Sequence, residues 1–123
     1  MILTNHFRLE EFASHDRAPT PIHVQHNLLQ LCRQLEIIRH ELGAPVIINS
    51  GYRSQAHNKK IGGAKHSYHL CGMAADIRTQ FHTPQQVFDT ILRLIQSGEV
   101  TPGGLKKYDT FVHYDIRGIL VLF

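Results

Sequence analysis

The chain is 123 residues long, with 42% hydrophobic residues and a formal net charge of +3. That length fits a single domain over residues 1–123 with one modest core, and no apolar run approaches the roughly 20 residues that span a bilayer. The basic residues are scattered and not interleaved with aromatics, which speaks against a nucleic-acid surface; a mildly cationic chain suits another anionic polymer equally well.

Met1 to Arg8 lacks the basic region, apolar stretch and small-residue cleavage site of a secretory signal. The expectation is cytoplasmic synthesis, with any substrate outside the membrane reached after release or by a route other than a signal peptide. Cys32 and Cys71 are the two cysteines, and a cytoplasmic-type chain gives little reason to pair them. Cys71 reads as a small buried filler beside Gly72.

In chain order, Phe7-Arg-Leu-Glu-Glu-Phe12 reads as a short helical turn anchored by Phe7, Leu9 and Phe12. Thr20-Pro21 has the form of a helix start, with Thr as N-cap and Pro at the first helical position. Val24, Leu28, Leu31, Leu35, Ile38 and Leu42 follow at spacings of four and three, forming one apolar stripe that Gly43 and Pro45 terminate. His23, His26 and His40 lie off the stripe and are read as surface residues. Pro45 to Asn49 is a β-branched run and a buried strand. Ser50 to Ser54 turns into a short helix, Gln55 to Lys60, with Ser54 as its cap, and places Arg53 at the end of the strand. Ile61 to Lys65 is a glycine-rich loop without the spacing of a phosphate-binding loop.

Met73 to Ile77 reads as a strand, with Ala74 and Asp76 on one face. Thr83-Pro84 starts a second long helix, buried along Val87, Phe88, Ile91, Leu92 and Ile95 and ended by Ser97-Gly98. Phe111 to Ile116 alternates, with Phe111, His113 and Asp115 on one face. Arg117-Gly118 reads as a hairpin turn into a terminal strand, Ile119 to Phe123.

The chemistry concentrates in Ser67-Tyr-His69-Leu-Cys-Gly72-Met-Ala-Ala-Asp76, with His113 as a distant partner. An Asp inside a small-residue apolar strand is costly to bury without a cation or donors. Two neutral imidazoles and one carboxylate can hold a zinc ion and leave its fourth position to water, the ligand logic of a hydrolytic site. A water so held becomes a nucleophile near neutral pH.

Ser50-Gly-Tyr-Arg53-Ser, His57-Asn58, Ser67-x-His69-x-x-Gly72-x-Ala74-x-Asp76, Gly104-Leu-x-x-Tyr108 and His113-x-Asp115-x-Arg117 occur in that order over residues 7–118. This set resembles the M15 family of zinc D-alanyl-D-alanine peptidases, related in fold to the hedgehog signalling domain and to phage endolysins. The resemblance implies an α+β fold in which a small antiparallel sheet packs against two long helices. It implies Zn2+ on His69, Asp76 and His113, with Arg53 binding and polarising the substrate and Ser67 and Tyr52 holding the loop or touching substrate. It also implies hydrolysis of peptide bonds in peptidoglycan, as a D-Ala carboxypeptidase or an endopeptidase; the expected partner is the peptidoglycan peptide, with neither nucleic acid nor membrane, and the expected state is a monomer. Many members carry an acid three residues before the distal His; here that position is Thr110, which leaves Asp115 or Asp109 as the general base. The same departure opens a second reading, a zinc-bearing wall-binding module that no longer cleaves.

Overall fold

The apolar stripe is the inner face of helix α1 (Ile22–Leu42), where Val24, Leu28, Leu31, Leu35 and Ile38 are fully buried in the computed structural model, which describes residues 1–123. His23, His26 and His40 point to solvent. The helix begins one residue later than the Thr-Pro signal implies. Pro21 has an extended ψ of 154° and is itself the N-cap, its carbonyl accepting the first helical bond from Gln25 N–H, while the Thr20 carbonyl accepts from the Gln25 side chain. Gly43 ends α1 in the left-handed region at φ 64°.

Ahead of α1, Ile2–Thr4 (β1) and Phe7–Arg8 (β2) pair antiparallel, and a 3-10 turn follows at Leu9–Phe12. Phe7 and Arg8 are therefore in a strand, and only Leu9–Phe12 of the expected turn is helical. Phe12 is fully buried, and its carbonyl accepts from Tyr52 N–H. A Cβ on Gly51 would fall 2.7 Å from Phe12 Cβ, so this crossing requires glycine.

Five further strands form the main sheet: β3 (Ile47–Ser50), β4 (Ala74–Arg78), β5 (Gly104–Lys107), β6 (Val112–Asp115) and β7 (Val121–Leu122), in the order β3-β4-β6-β5-β7. The sheet is mixed. The first three pairings are antiparallel, but β7 runs parallel to β5 and does not fold back on β6 as a hairpin. Arg117-Gly118 is thus the start of a crossing, not a two-strand turn. Three helices complete the fold: α1, α2 (Gln55–Lys60) and α3 (Pro84–Gln96). Thr83 and Gln86 close a reciprocal capping box at the start of α3. Leu94 joins Val87, Ile91 and Ile95 in the core, with Phe88 and Leu92 at its edge.

Strand alternation sorts the sheet's two faces. Ala75, Ile77, Leu105, Val112 and Tyr114 join the α1 and α3 side chains in one core. Asp76, His113 and Asp115 lie on the opposite face, which no long helix covers, and this is where the chemistry collects. Cys32 is sealed in the core, where burial pushes its thiol up to about 12; Cys71 is half-buried. No helix is long and apolar enough to cross a membrane.

Candidate metal centre

Asp76 on β4 and His113 on β6 are direct cross-strand partners. His69 reaches them from a 3-10 turn, Tyr68–Cys71, capped by Ser67, whose Oγ accepts the His69 N–H. Gly72 ends this turn at φ 77° and lies against α1: a Cβ there would meet Val24 Cγ1 at 2.7 Å. Glycine is therefore required twice over, for its conformation and for the close approach.

The three side chains are buried, and one ligand atom from each lies within 4.8 Å of the other two. Nδ1 of His69 is 2.7 Å from the Gly51 carbonyl, to which it donates, so in the neutral ring Nε2 offers a lone pair toward Asp76 Oδ1, 3.3 Å away. Nε2 of His113 is 2.8 Å from Asp115 Oδ2 and donates to it, which leaves Nδ1 facing Asp76 Oδ1 at 3.2 Å. Three acceptors thus converge with no donor between them unless a proton or a cation fills the gap. Ligands held tetrahedrally at about 2.0–2.1 Å lie about 3.3–3.5 Å apart, so the observed spacings fit a zinc-sized ion.

The electrostatics agree. Burial disfavours the Asp76 carboxylate, but the His113 and His69 rings against it more than reverse this and hold its pKa below the ordinary range. Burial likewise disfavours charge on His113, yet Asp115 and Asp76 raise its pKa above the ordinary imidazole value. Positive charge on His113 is thus favoured between the two carboxylates, where a cation would also be favoured.

Asp115 is completely buried and accepts from five donors: Gly104 N–H, Arg117 N–H and Arg117 Nε at one oxygen, and Arg117 Nη2 and His113 Nε2 at the other. Gly104 is glycine for a steric reason, since a Cβ there would lie 2.4 Å from both Asp115 Oδ2 and Arg117 Nη2. Arg53 stands on the other side of the trio. Its Nη2 donates to Asp76 Oδ2 at 3.2 Å, Nη1 to Asn58 Oδ1 at 3.3 Å and Nε to Ser50 Oγ at 3.4 Å.

The trio opens into a cavity of about 710 Å³, whose wall includes Arg53, Lys65, His66, Ser67, Tyr68 and Arg117. Of the residues singled out from the sequence, His69, Asp76, His113, Arg53 and Ser67 meet here. Tyr52 does not: it is buried in the core beside Phe12. Asp109 is exposed in the bend between β5 and β6 and is absent from the cavity wall. Asp76 is the single carboxylate on that wall. Sequence reasoning missed Asn58 as the partner of Arg53, and Tyr68, Arg117 and Phe123 as wall residues. Only the order of the motif, His113-x-Asp115-x-Arg117 on an alternating strand, pointed toward Arg117.

The Peptidase M15 family model matches residues 5–115 of the chain. The zinc D-Ala-D-Ala carboxypeptidase of Streptomyces albus G is 40% identical over 52 residues, 42% of this chain and 20% of that protein. The chain thus matches about one fifth of the length of this curated relative.

Proposed function

Because the chain belongs to the peptidase M15 family, we propose that it is a zinc metallopeptidase hydrolysing peptide bonds in peptidoglycan stem peptides or cross-links. The observation that carries this reading is the convergence of His69 Nε2, Asp76 and His113 Nδ1 at the floor of an open, cationic cavity. Zinc bound there would supply a Lewis acid and bring the pKa of a water it holds toward neutrality.

The chain's own residues do the rest. The Gly51 carbonyl fixes the His69 tautomer, and Asp115 fixes that of His113, so both rings present lone pairs inward. Arg53, braced by Asn58 and Ser50, sits beside Asp76 and offers N–H groups to the scissile carbonyl as negative charge develops on its oxygen. Ser67 shapes the loop that carries His69. Asp115 has both oxygens fully engaged, so its part is to position His113 and not to receive a proton. Two groups are candidates to take the proton of the attacking water: His66 on the wall itself, and Asp109, which stands off the wall one residue beyond the cavity-lining Tyr108. Either would return it to the leaving amine.

One observation favours a second reading, a zinc-bearing wall-binding module without hydrolysis: no free carboxylate lines the cavity. Mass spectrometry of muropeptides after digestion, with and without a chelator, separates the two. A loss of terminal D-Ala identifies a carboxypeptidase, split cross-links identify an endopeptidase, and wall binding with unchanged muropeptides identifies the inactive module. Under the peptidase reading, His69→Ala and Asp76→Ala lose both zinc and product.

A further inference from the structure

Arg117 has more hydrogen-bonding capacity than its structural task uses. A guanidinium has two edges able to grip a carboxylate, Nε with Nη2 and Nη1 with Nη2. Asp115 takes the first edge, at 2.9 and 2.7 Å. Nη1 has no acceptor in the protein, and the side chain, 19% exposed, forms part of the cavity wall. Two aromatic rings lie against it, Tyr68 with its centroid 4.4 Å from Cζ and Phe123 at 5.6 Å. A guanidinium held by two bonds to Asp115 and flanked by these rings has its remaining edge pre-oriented and loses little freedom on binding.

The location is specific. Asp115 Oδ2 bridges Arg117 Nη2 at 2.7 Å and His113 Nε2 at 2.8 Å, so the guanidinium lies one imidazole away from the metal trio. Arg117 and the trio line the same cavity, and extended chain advances about 3.3–3.6 Å per residue, so the guanidinium faces a group close along the substrate to a carbonyl seated at the trio. Arg53 spends three of its five N–H groups on Asp76, Asn58 and Ser50, which leaves two for the scissile carbonyl.

We propose that the free edge of Arg117, beside Tyr68 and Phe123, is an anion seat that grips a carboxylate of the residue following the scissile bond. The proposal rests on the peptidase reading above and names the substrate group that this site selects. A terminal carboxylate and an acidic side chain share that chemistry, and the experiment tells them apart.

The test uses the full chain at saturating zinc, with metal content verified, as wild type, Arg117→Gln, Arg117→Lys and Arg53→Gln. Calorimetry measures binding of acetylated peptides ending in D-Ala-D-Ala, as the free acid and as the terminal amide. A second pair places Glu or Gln after the scissile bond with the terminus amidated. Wild type is expected to bind one acid at least tenfold tighter than its amide, the pair identifying the source of the carboxylate. Arg117→Gln is expected to retain zinc and bind acid and amide alike, and Arg117→Lys to keep a reduced preference. Where hydrolysis occurs, the change falls on KM and not on kcat. The proposal is overturned if wild type shows no preference, if Arg117→Gln keeps it, or if Arg53→Gln alone abolishes it. Acid-selective binding without hydrolysis would instead uphold the anion seat and overturn the peptidase reading.

Discussion

Asp76 and His113 face each other across β4 and β6, with Nδ1 of the imidazole 3.2 Å from Oδ1 of the carboxylate. The other nitrogen of the ring is committed to Asp115, so the inward nitrogen is selected by a residue that touches no substrate. The tautomer presented at the centre therefore depends on Asp115 behind it as well as on the three side chains in front.

Asp115→Asn tests that dependence. The substitution keeps the shape but allows an amide N–H to face His113 Nε2, which then no longer needs to donate. Loss of such an outer partner typically costs 10–100-fold in metal affinity. Competition against a chromogenic chelator should show zinc affinity falling by about that range in Asp115→Asn, with fold retained by circular dichroism.

The pH dependence follows from two opposed shifts. The folded pKa of His113 is raised above 6.5, so its contribution to metal-free stability is complete below about pH 6.5 and lost as pH rises through the folded value. Those of Asp76 and Asp115 are depressed below 3.8, so their contribution is complete above about pH 4 and lost as pH falls through the folded values. Metal-free protein should therefore melt highest between about pH 4 and 6.5. Zinc must displace the proton on His113, so the rise in Tm on adding zinc should grow from pH 6 to pH 8. Melting curves with and without zinc check both signs.

Gly63→Ala probes the support of Arg53 from a distance. A Cβ there would stand 2.0 Å from Asn58 Oδ1 and 3.2 Å from Arg53 Nη1, so Asn58 has to move and Arg53 loses a partner. Misplacing a polarising group by about 1 Å costs up to about 100-fold in rate. Peptide hydrolysis should fall by roughly tenfold or more with zinc content unchanged.

Leu35→Ala removes a fully buried side chain from the inner face of α1 and should cost about 2–5 kcal/mol in denaturant unfolding. His40→Ala, on the exposed face of the same helix, should stay within about 0.5 kcal/mol of wild type.

The helices were legible because periodicity and punctuation agree: the α1 stripe, the Gly43 stop and the Thr83-Pro84 start all appear where local chemistry places them. The start of α1 was displaced because Thr-Pro offered a cap that the backbone of Pro21 itself provides. The pairing of β7 was not legible, since an apolar run after Arg117-Gly118 looks the same whether it returns beside β6 or crosses to β5. The His69–Asp76–His113 set was legible from the cost of burying Asp76 among small residues. Tyr52 misled because an aromatic next to Arg53 can serve either the core or the cavity, and only the approach of Phe12 to Gly51 turns it inward. Asn58, Tyr68, Arg117 and Phe123 depend on tertiary contacts that no local pattern encodes.

An anomalous difference map from crystals grown with zinc, recorded at the zinc edge, tests the centre most directly. The account predicts one strong peak bonded to His69 Nε2, His113 Nδ1 and the Asp76 carboxylate. A peak outside the trio, one bonded to His113 through Nε2, or no peak at saturating zinc would contradict it.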